Sequence, residues 1–158
     1  MIQVICPVCG AVLEPQGTAW RCVQGHCFDV ARQGYVNLLT VTQKHSRHPG
    51  DTREMVAARR AFLDAGWYAP IAKTLADLVR RFCPEAASVL DAGCGEGYYL
   101  SQLGWVPERW GIDISRDAVR YAAARDRGAH WLTATAAHLP FADGGFDCVL
   151  SMFALTAG

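Results

Sequence analysis

The chain has no net charge and no long apolar run. Fifteen Lys and Arg residues balance fifteen Asp and Glu residues, so the protein as a whole is not an obvious polyanion binder. No apolar segment has the roughly 20 residues needed to cross a bilayer. Residues 1–4 carry no basic side chain, which argues against a secretory signal peptide. These absences favour a protein of the cytoplasm that does not enter a membrane.

The sequence also lacks the even cysteine count of a disulfide-linked secreted scaffold. Of seven cysteines, four fall within the first 27 residues, and Cys83, Cys94 and Cys148 lie scattered among apolar residues. This usage is typical of a reducing compartment and again predicts the cytoplasm. With 158 residues, about half of them hydrophobic, the chain can hold one small module and most of an α/β core.

The cysteines near the start form two short knuckles at metal-ligand spacing. Cys6 and Cys9 flank a Pro-Val pair, and Cys22 precedes His26 by four positions. Three thiolates and one imidazole make a Cys3His zinc site, closed and therefore structural. The fourth ligand could be His26 or its neighbour Cys27, and we favour His26. The alternative, that some of these cysteines are small buried hydrophobic residues, fits the paired spacing poorly.

Periodicity predicts an α/β protein in three parts. These are a zinc ribbon over 1–40, a linker with helices over 41–86, and a partial Rossmann-like domain over 87–158. Helices are expected from Asp51 or Thr52 to Ala65, and over 68–82. The last part should form parallel strands with helical crossovers, the first four in the order 3-2-1-4. The expected strands are 88–91, 109–113, 130–133 and 146–152, and the expected helices between them are 97–103 and 116–127.

A glycine-rich turn follows the first of these strands. The strand ends at Asp91, the turn contains three glycines over 93–97, and the next strand ends at Asp113. Glycines let a backbone approach a ligand closely, and an acidic residue there can bond ribose hydroxyls. A plain turn is the simpler alternative. Glu96 inside the turn would repel a dinucleotide pyrophosphate but suits a sulfonium with an ammonium group, so we favour S-adenosylmethionine.

Other segments give weaker indications. The stretch 137–141, with His138, follows the third strand and could close over adenine, or could be an ordinary loop. Basic residues cluster over 44–60 and give the first 60 residues a charge of +3, which suits a phosphate backbone or simply a solvated helix face. Asp143 and Asp147 are candidate bases by position alone, so no catalytic residue is assigned.

Taken together, these motifs resemble the bacterial 23S rRNA (guanine-N1)-methyltransferases that carry an N-terminal zinc ribbon. The resemblance runs from residue 5 to about residue 153. Beyond the knuckles, it includes the motifs Phe28-Asp29, Gly34-Tyr35-Val36-Asn37-Leu38-Leu39, Pro49-Gly50-Asp51, Arg59-Arg60-Ala61-Phe62-Leu63 and Leu90-Asp91-Ala92-Gly93-Cys94-Gly95-Glu96-Gly97-Tyr98-Tyr99.

The resemblance implies a class I S-adenosylmethionine-dependent fold, here incomplete because such enzymes are roughly 100 residues longer. It implies a stem-loop of large-subunit rRNA as substrate, and a homodimer. It also implies zinc at Cys6, Cys9, Cys22 and His26. With the positions indicated by the turn and the loop, the expected cofactor contacts are Tyr68, Asp91, Gly93, Gly95, Glu96, Asp113 and His138.

The expected function is therefore methyl transfer to N1 of a guanine in rRNA, by a chain that is truncated and whose activity in this form is open. One alternative is a methyltransferase acting on a small molecule, and another is one acting on tRNA. A third is a zinc-ribbon module that binds RNA or protein without catalysis. Zinc and S-adenosylmethionine are the expected cofactors.

Overall fold

The computed structural model describes residues 2–41 and 52–152. The first sheet is antiparallel, with the order β1-β2-β3-β4. Its strands are short, and the two knuckles connect β1 to β2 and β3 to β4. They are β1 Val4–Ile5, β2 Val12–Gln16, β3 Ala19–Arg21 and β4 Cys27–Asp29. This is the predicted ribbon.

The second sheet is parallel and has the order β5-β8-β7-β6-β9. Its strands are β5 Tyr35–Asn37, β6 Ser88–Ala92, β7 Glu108–Asp113, β8 His130–Thr133 and β9 Cys148–Leu150. The four predicted strands are present and take the predicted order 3-2-1-4. The last is shorter than expected and lies at the edge of the described sheet.

Strand β5 is the main departure from expectation. Residues 35–37 fall inside the range assigned to the ribbon, yet they pair in parallel with β8, from Tyr35 opposite Trp131 to Asn37 opposite Thr133. The pairing satisfies backbone groups along the outer edge of β8, which the predicted sheet left open. The chain thus passes from the first sheet into the second before it reaches its first helix.

The helices lie close to their predicted positions. They are α1 Arg53–Asp64, α2 Ala69–Phe82, α3 Tyr98–Ser101 and α4 Arg116–Arg125. Thr52 caps α1, since its hydroxyl accepts a hydrogen bond from the Met55 amide at 3.3 Å, and Ser115 caps α4 in the same way. The helix after the glycine turn is shorter than the predicted 97–103.

One hydrophobic core joins the two sheets. Val4, Leu13 and other buried ribbon residues lie in the same cluster as Trp110 and Ile112 of β7, and the rings of Trp20 and Trp110 meet edge to face at 6.4 Å. Backbone bonds reinforce this seam, from the Ile5 amide to the Pro140 carbonyl (2.8 Å) and from the Ala142 amide to the Gln3 carbonyl (3.1 Å). The ribbon therefore packs on the second sheet as part of its core.

Some sequence predictions fall outside the described residues. These are the basic run at 44–47, the Pro49–Gly50 turn and the choice of Asp51 as a helix cap. Within residues 2–41 and 52–152, no helix combines the length and apolar character that crossing a membrane requires.

Candidate functional site

The structure brings Cys6, Cys9, Cys22 and His26 together. Their ligand atoms all lie within 4.8 Å of one another. The Sγ atoms of Cys9 and Cys22 are 3.7 Å apart, and Cys22 Sγ lies 3.4 Å from His26 Nδ1. Tetrahedral zinc with ordinary bond lengths separates two sulfurs by about 3.8 Å, and a sulfur from a nitrogen by about 3.6 Å. The donor set and its spacing therefore fit a zinc ion.

Tight turns hold these ligands in place. The Gly10 amide bonds the Cys6 carbonyl at 2.9 Å, and the Gly25 amide bonds the Cys22 carbonyl at 3.0 Å. Both glycines have positive φ, 79° and 90°, which an L side chain rarely adopts. Cys27, the alternative fourth ligand, is exposed and stands outside the group of four ligands.

The surroundings of Cys22 lower the pKa of its thiol. Its partial burial opposes ionisation, but hydrogen bonds from the backbone at His26 and Gln24, together with those from the His26 ring and Cys9, lower its pKa to about 6. A thiolate is the form of cysteine that binds metal. The Cys22 sulfur is thus favoured as the thiolate at neutral pH, while the pKa of its neighbour Cys9 is raised.

The glycine turn lies at the carboxyl ends of β6 and β7. Gly93, Gly95 and Gly97 all have positive φ. A Cβ on Gly97 would lie 2.9 Å from the Trp131 ring and 3.0 Å from the Ala122 Cβ, whereas a Cβ on Gly95 would meet nothing within 4 Å. The turn therefore packs tightly against Trp131 and Ala122 at Gly97 and leaves space for a ligand at Gly95.

Asp91 lies beneath this turn, at the end of β6. It is 1% exposed, and its Oδ1 has no hydrogen-bond partner among the described residues. Burial, with repulsion from Asp113 and Glu96, raises the pKa of its carboxyl to about 7. A buried carboxylate with an oxygen that lacks a partner favours a positively charged ligand group nearby. The turn thus fits the sulfonium or ammonium of S-adenosylmethionine.

Asp113 lies where the sequence predicted it, at the end of β7. Its Oδ2 accepts a hydrogen bond from the Gly95 amide at 3.0 Å, and its Oδ1 accepts one from the Ser115 amide at 2.8 Å. These bonds fix the turn, and a carboxylate at the end of this strand is the kind of group that bonds ribose hydroxyls.

Glu96 differs from its expected surroundings. The sequence interpretation directed its carboxylate toward a positively charged cofactor. In the structure it is 3% exposed, and its Oε2 lies 2.8 Å from Arg125 Nη2. Burial raises the pKa of this carboxyl, and Arg125 opposes that rise. Because the guanidinium already compensates the carboxylate, its charge is less available to a ligand than predicted.

Tyr68 and His138 have different surroundings. Tyr68, before α2, meets Phe62 edge to face at 5.2 Å and packs on the cluster that contains Tyr98 and Tyr99, next to the glycine turn. His138 is exposed. It lines a cavity of about 440 Å³ between the first zinc knuckle and the loop 134–140.

The two candidate bases are not equivalent. Asp147 Oδ2 accepts hydrogen bonds from the amides of Ala87 (2.7 Å) and Ser88 (3.2 Å). It therefore caps the start of β6, at the opposite end of that strand from the glycine turn. Asp143 is exposed in the turn before β9. The structure thus gives Asp147 a structural role and leaves Asp143 unassigned.

Sequence reasoning missed three residues near this site. Asn37 of β5 and Thr133 of β8 are in register with Asp113, and Thr133 Oγ1 is buried without a partner in the described structure. Arg125, at the end of α4, reaches Glu96. The Tyr35-Val36-Asn37 triplet gave no period long enough to reveal a strand, and no local pattern marks Arg125 as the partner of a residue 29 positions earlier.

Two known families match separate parts of the chain, and the first match extends past the ribbon strands to include β5. Residues 4–47 match the family described as "RlmA, N-terminal", a zinc ribbon. Residues 89–157 match the family described as "Methyltransferase domain". The predicted fold class is confirmed, as are zinc and S-adenosylmethionine as the cofactors of these two kinds of domain.

Similar proteins carry consistent names. The chain is 41% identical over 155 residues to a protein of Streptomyces fradiae named 23S rRNA (guanine(748)-N(1))-methyltransferase, covering 94% of this chain and 54% of that protein. It is 40% identical over 171 residues to a putative 23S rRNA (guanine-N(1)-)-methyltransferase of Micromonospora griseorubida, covering 94% and 57%. The chain thus spans about half the length of the curated relatives it matches.

A solved structure supports the fold. It is SAM-bound CalS10, an amino pentose methyltransferase from Micromonospora echinaspora, which matches with a TM-score of 0.52 and 25% identity over 69% of this chain and 45% of that one. The expected resemblance is confirmed. Residues 4–47 match the RlmA N-terminal zinc-ribbon family and residues 89–157 match a methyltransferase-domain family, in a chain that is similar over 94% of its length to proteins named 23S rRNA (guanine-N1)-methyltransferases.

Proposed function

We propose that this chain belongs to an enzyme that transfers a methyl group from S-adenosylmethionine to N1 of a guanine in a stem-loop of large-subunit rRNA. The observation that carries the proposal is the joining of a Cys3His knuckle pair and an Asp-Ala-Gly-Cys-Gly-Glu-Gly turn through one core. Relatives that are similar over 94% of this chain are named as 23S rRNA (guanine-N1)-methyltransferases.

We assign the metal to Cys6, Cys9, Cys22 and His26. All four positions of a tetrahedral ion are then filled by protein, so the metal has a structural role. A ribbon this small buries too little apolar surface to fold alone. The division into a ribbon over 1–40, helices over 41–86 and a cofactor domain over 87–158 stays part of this proposal, although β5, inside the first range, pairs with the sheet of the third.

The cofactor is assigned to the carboxyl end of the parallel sheet. Asp91 and the turn 93–97 lie next to the methionine part, and Asp113 accepts bonds from ribose hydroxyls. Tyr68 closes the side of the turn near α2, and His138 belongs to the loop nearest adenine. When bound, S-adenosylmethionine supplies a methyl group on an activated leaving group, so the protein's task is mainly to position and desolvate.

The acceptor sets a further requirement. N1 of guanine lies on the base-pairing edge and carries a proton, so the base must be unpaired when it reacts, and the proton must leave. Asp147 is occupied as a strand cap. We assign no catalytic residue within the described part of the chain.

The proposal also includes an RNA-binding surface, a homodimer and a cytoplasmic location. A basic surface for RNA begins on α1 with Arg53, Arg59 and Arg60, all exposed, and a second copy would provide the homodimer implied by the resemblance. Free cysteines among the described residues agree with a reducing, cytoplasmic location.

Two measurements test the proposal. Calorimetry with S-adenosylmethionine should give one binding site per chain with zinc present. Asp91→Asn should weaken the binding of S-adenosylmethionine, while Asp143→Asn should not. Labelled methyl transfer should reach undermethylated large-subunit RNA in preference to tRNA or an amino sugar. Absence of binding at millimolar cofactor contradicts the enzyme assignment and favours a non-catalytic ribbon protein. Labelling of the sugar or tRNA alone contradicts the rRNA assignment.

A further inference from the structure

Arg125 connects three parts of the molecule. It lies at the end of α4 with its side chain 19% exposed. Its Nη2 lies 2.8 Å from Glu96 Oε2 in the glycine turn and 2.9 Å from Asp64 Oδ1 at the end of α1. Its Nε donates to the Glu96 carbonyl at 3.3 Å. One guanidinium thus bonds both the backbone and the side chain of the turn and also bonds a helix outside it.

The buried carboxylate explains why this position matters. Glu96 is 3% exposed, and a buried carboxylate that loses its partner is strongly unfavourable. The charged groups facing it are Arg125 from α4, Asp64 from α1 and Asp91 from β6. Arg125 is the positive member of this group, so it offsets repulsion among three carboxylates at the place where the turn must stay ordered.

The second contact reaches the segment before the sheet. Asp64 ends α1, four residues before Tyr68, and it also pairs with Arg60 at 3.6 Å. Arg125 lies over the Tyr98 ring at 5.9 Å, and Tyr98 packs with Leu63, Ala72 and Tyr99. The guanidinium therefore links the turn to the two helices that lie beside it.

We propose that Arg125 is a positioning residue for the cofactor, which holds the glycine turn in its binding shape by pairing with Glu96 and fastens that turn to α1 through Asp64. This role rests on the proposed function only for the identity of the ligand. The ordering of the turn is a property of the protein itself and can be measured without any ligand.

The test measures hydrogen exchange in residues 93–98 of the full chain, with zinc present and no cofactor, and then the dissociation constant for S-adenosylmethionine. Arg125→Met should speed exchange in the turn and weaken binding, each by about 10-fold or more, because three charge-assisted bonds are lost, two of them to Glu96. Arg125→Lys should recover part of the protection against exchange and part of the affinity for S-adenosylmethionine. Arg120→Met is the matched control, since Arg120 pairs with Asp117 on the surface of the same helix.

A double variant separates neutralisation from simple packing. If Arg125 acts by compensating Glu96, adding Glu96→Gln to Arg125→Met removes the unpaired buried charge, and protection of the turn should return toward that of the original chain. Asp64→Asn should have a smaller effect, about 2- to 5-fold, because Asp64 is 43% exposed.

Two results would overturn the proposal. One is unchanged exchange at residues 93–98 in Arg125→Met. The other is independent, additive effects of the changes at 96 and 125. Should Arg125→Met not fold, Arg125→Lys and Glu96→Gln carry the same comparison. A chain that fails to bind S-adenosylmethionine contradicts the proposed function, while the exchange measurement still decides the role of Arg125.

Discussion

The two knuckles and the glycine turn are both built on glycines with positive φ, but they are held in different ways. A Cβ on Gly10 or Gly25 would meet nothing within 4 Å. The knuckles bring the ligand atoms of four side chains within 4.8 Å of one another. Gly97 presses against Trp131 and Ala122, and the Gly95 amide is bonded by Asp113. The same left-handed glycine conformation is therefore held by metal coordination in the knuckles and by packing against the sheet in the glycine turn.

The largest effect should come from removing a metal ligand. Cys9→Ser should abolish stoichiometric zinc and unfold the ribbon, because apparent binding free energies of structural zinc are on the order of 10–16 kcal/mol. Since Val4 and Leu13 belong to the shared core, we expect the free energy of unfolding of the whole chain to fall by more than about 5 kcal/mol. Zinc analysis and thermal unfolding measure both effects.

Cys27→Ser is the matched control, since Cys27 is an exposed neighbour of the same site. It should keep one zinc per chain and an unchanged melting temperature. Retention of zinc by Cys9→Ser would show that the ligand set is wrong and would remove the contrast between the two regions.

The next effect concerns Asp91 and depends on pH. Its pKa is raised from 3.8 to about 7 in the folded chain, so ionisation disfavours folding. The loss of folding stability caused by ionising Asp91 is absent below about pH 4, grows between pH 4 and pH 7, and is complete above about pH 7. Asp91→Asn should therefore stabilise the cofactor-free protein at pH 8 by up to about 4 kcal/mol, while weakening the binding of S-adenosylmethionine.

Denaturant unfolding from pH 4 to pH 8 measures this difference, with Asp143→Asn as the exposed control. The stability curves of Asp91→Asn and the original chain should meet near pH 4 and separate as the pH rises. Parallel curves would mean that Asp91 is not the buried acid that the structure describes.

A third change compares glycines of similar φ. Gly97→Ala introduces both a left-handed alanine and a Cβ against Trp131 and Ala122, which should cost roughly 2–4 kcal/mol. Gly25→Ala has the backbone strain without the clash and should cost about 1–2 kcal/mol. Urea unfolding with zinc present measures both.

Gly104→Ala serves as the neutral reference, because a Cβ there meets nothing within 4 Å and no positive φ is involved. Equal losses at positions 25 and 97 would show that packing under the glycine turn contributes nothing, and would contradict the difference between the two regions.

Much of this arrangement could be predicted from sequence because its signals are local. Ligand spacing in the knuckles, Asp91 before the glycines and Asp113 at the next strand end all lie in short motifs, and the apolar strands alternate with helices. The capping role of Thr52 follows from its position before a helical pattern.

The rest depends on contacts between distant residues. A three-residue strand such as 35–37 carries no period, so its pairing with β8 could not be predicted. The pairing of Glu96 with Arg125 could not be predicted either, because nothing in the turn itself reveals Arg125. The hydrogen bond between Ile5 and Pro140 likewise joins positions that no local pattern relates.

The crossing of β5 into the second sheet has a practical consequence for chimeras and fragments. A graft that exchanges residues 1–40 between relatives would replace the outer strand of the recipient's sheet along with its metal module. A cut there would strip β8 of its neighbour and expose a strand edge that invites aggregation. A junction before Ala31 keeps Tyr35–Asn37 with the sheet, so the exchanged ribbon has only its contacts with the shared core to restore.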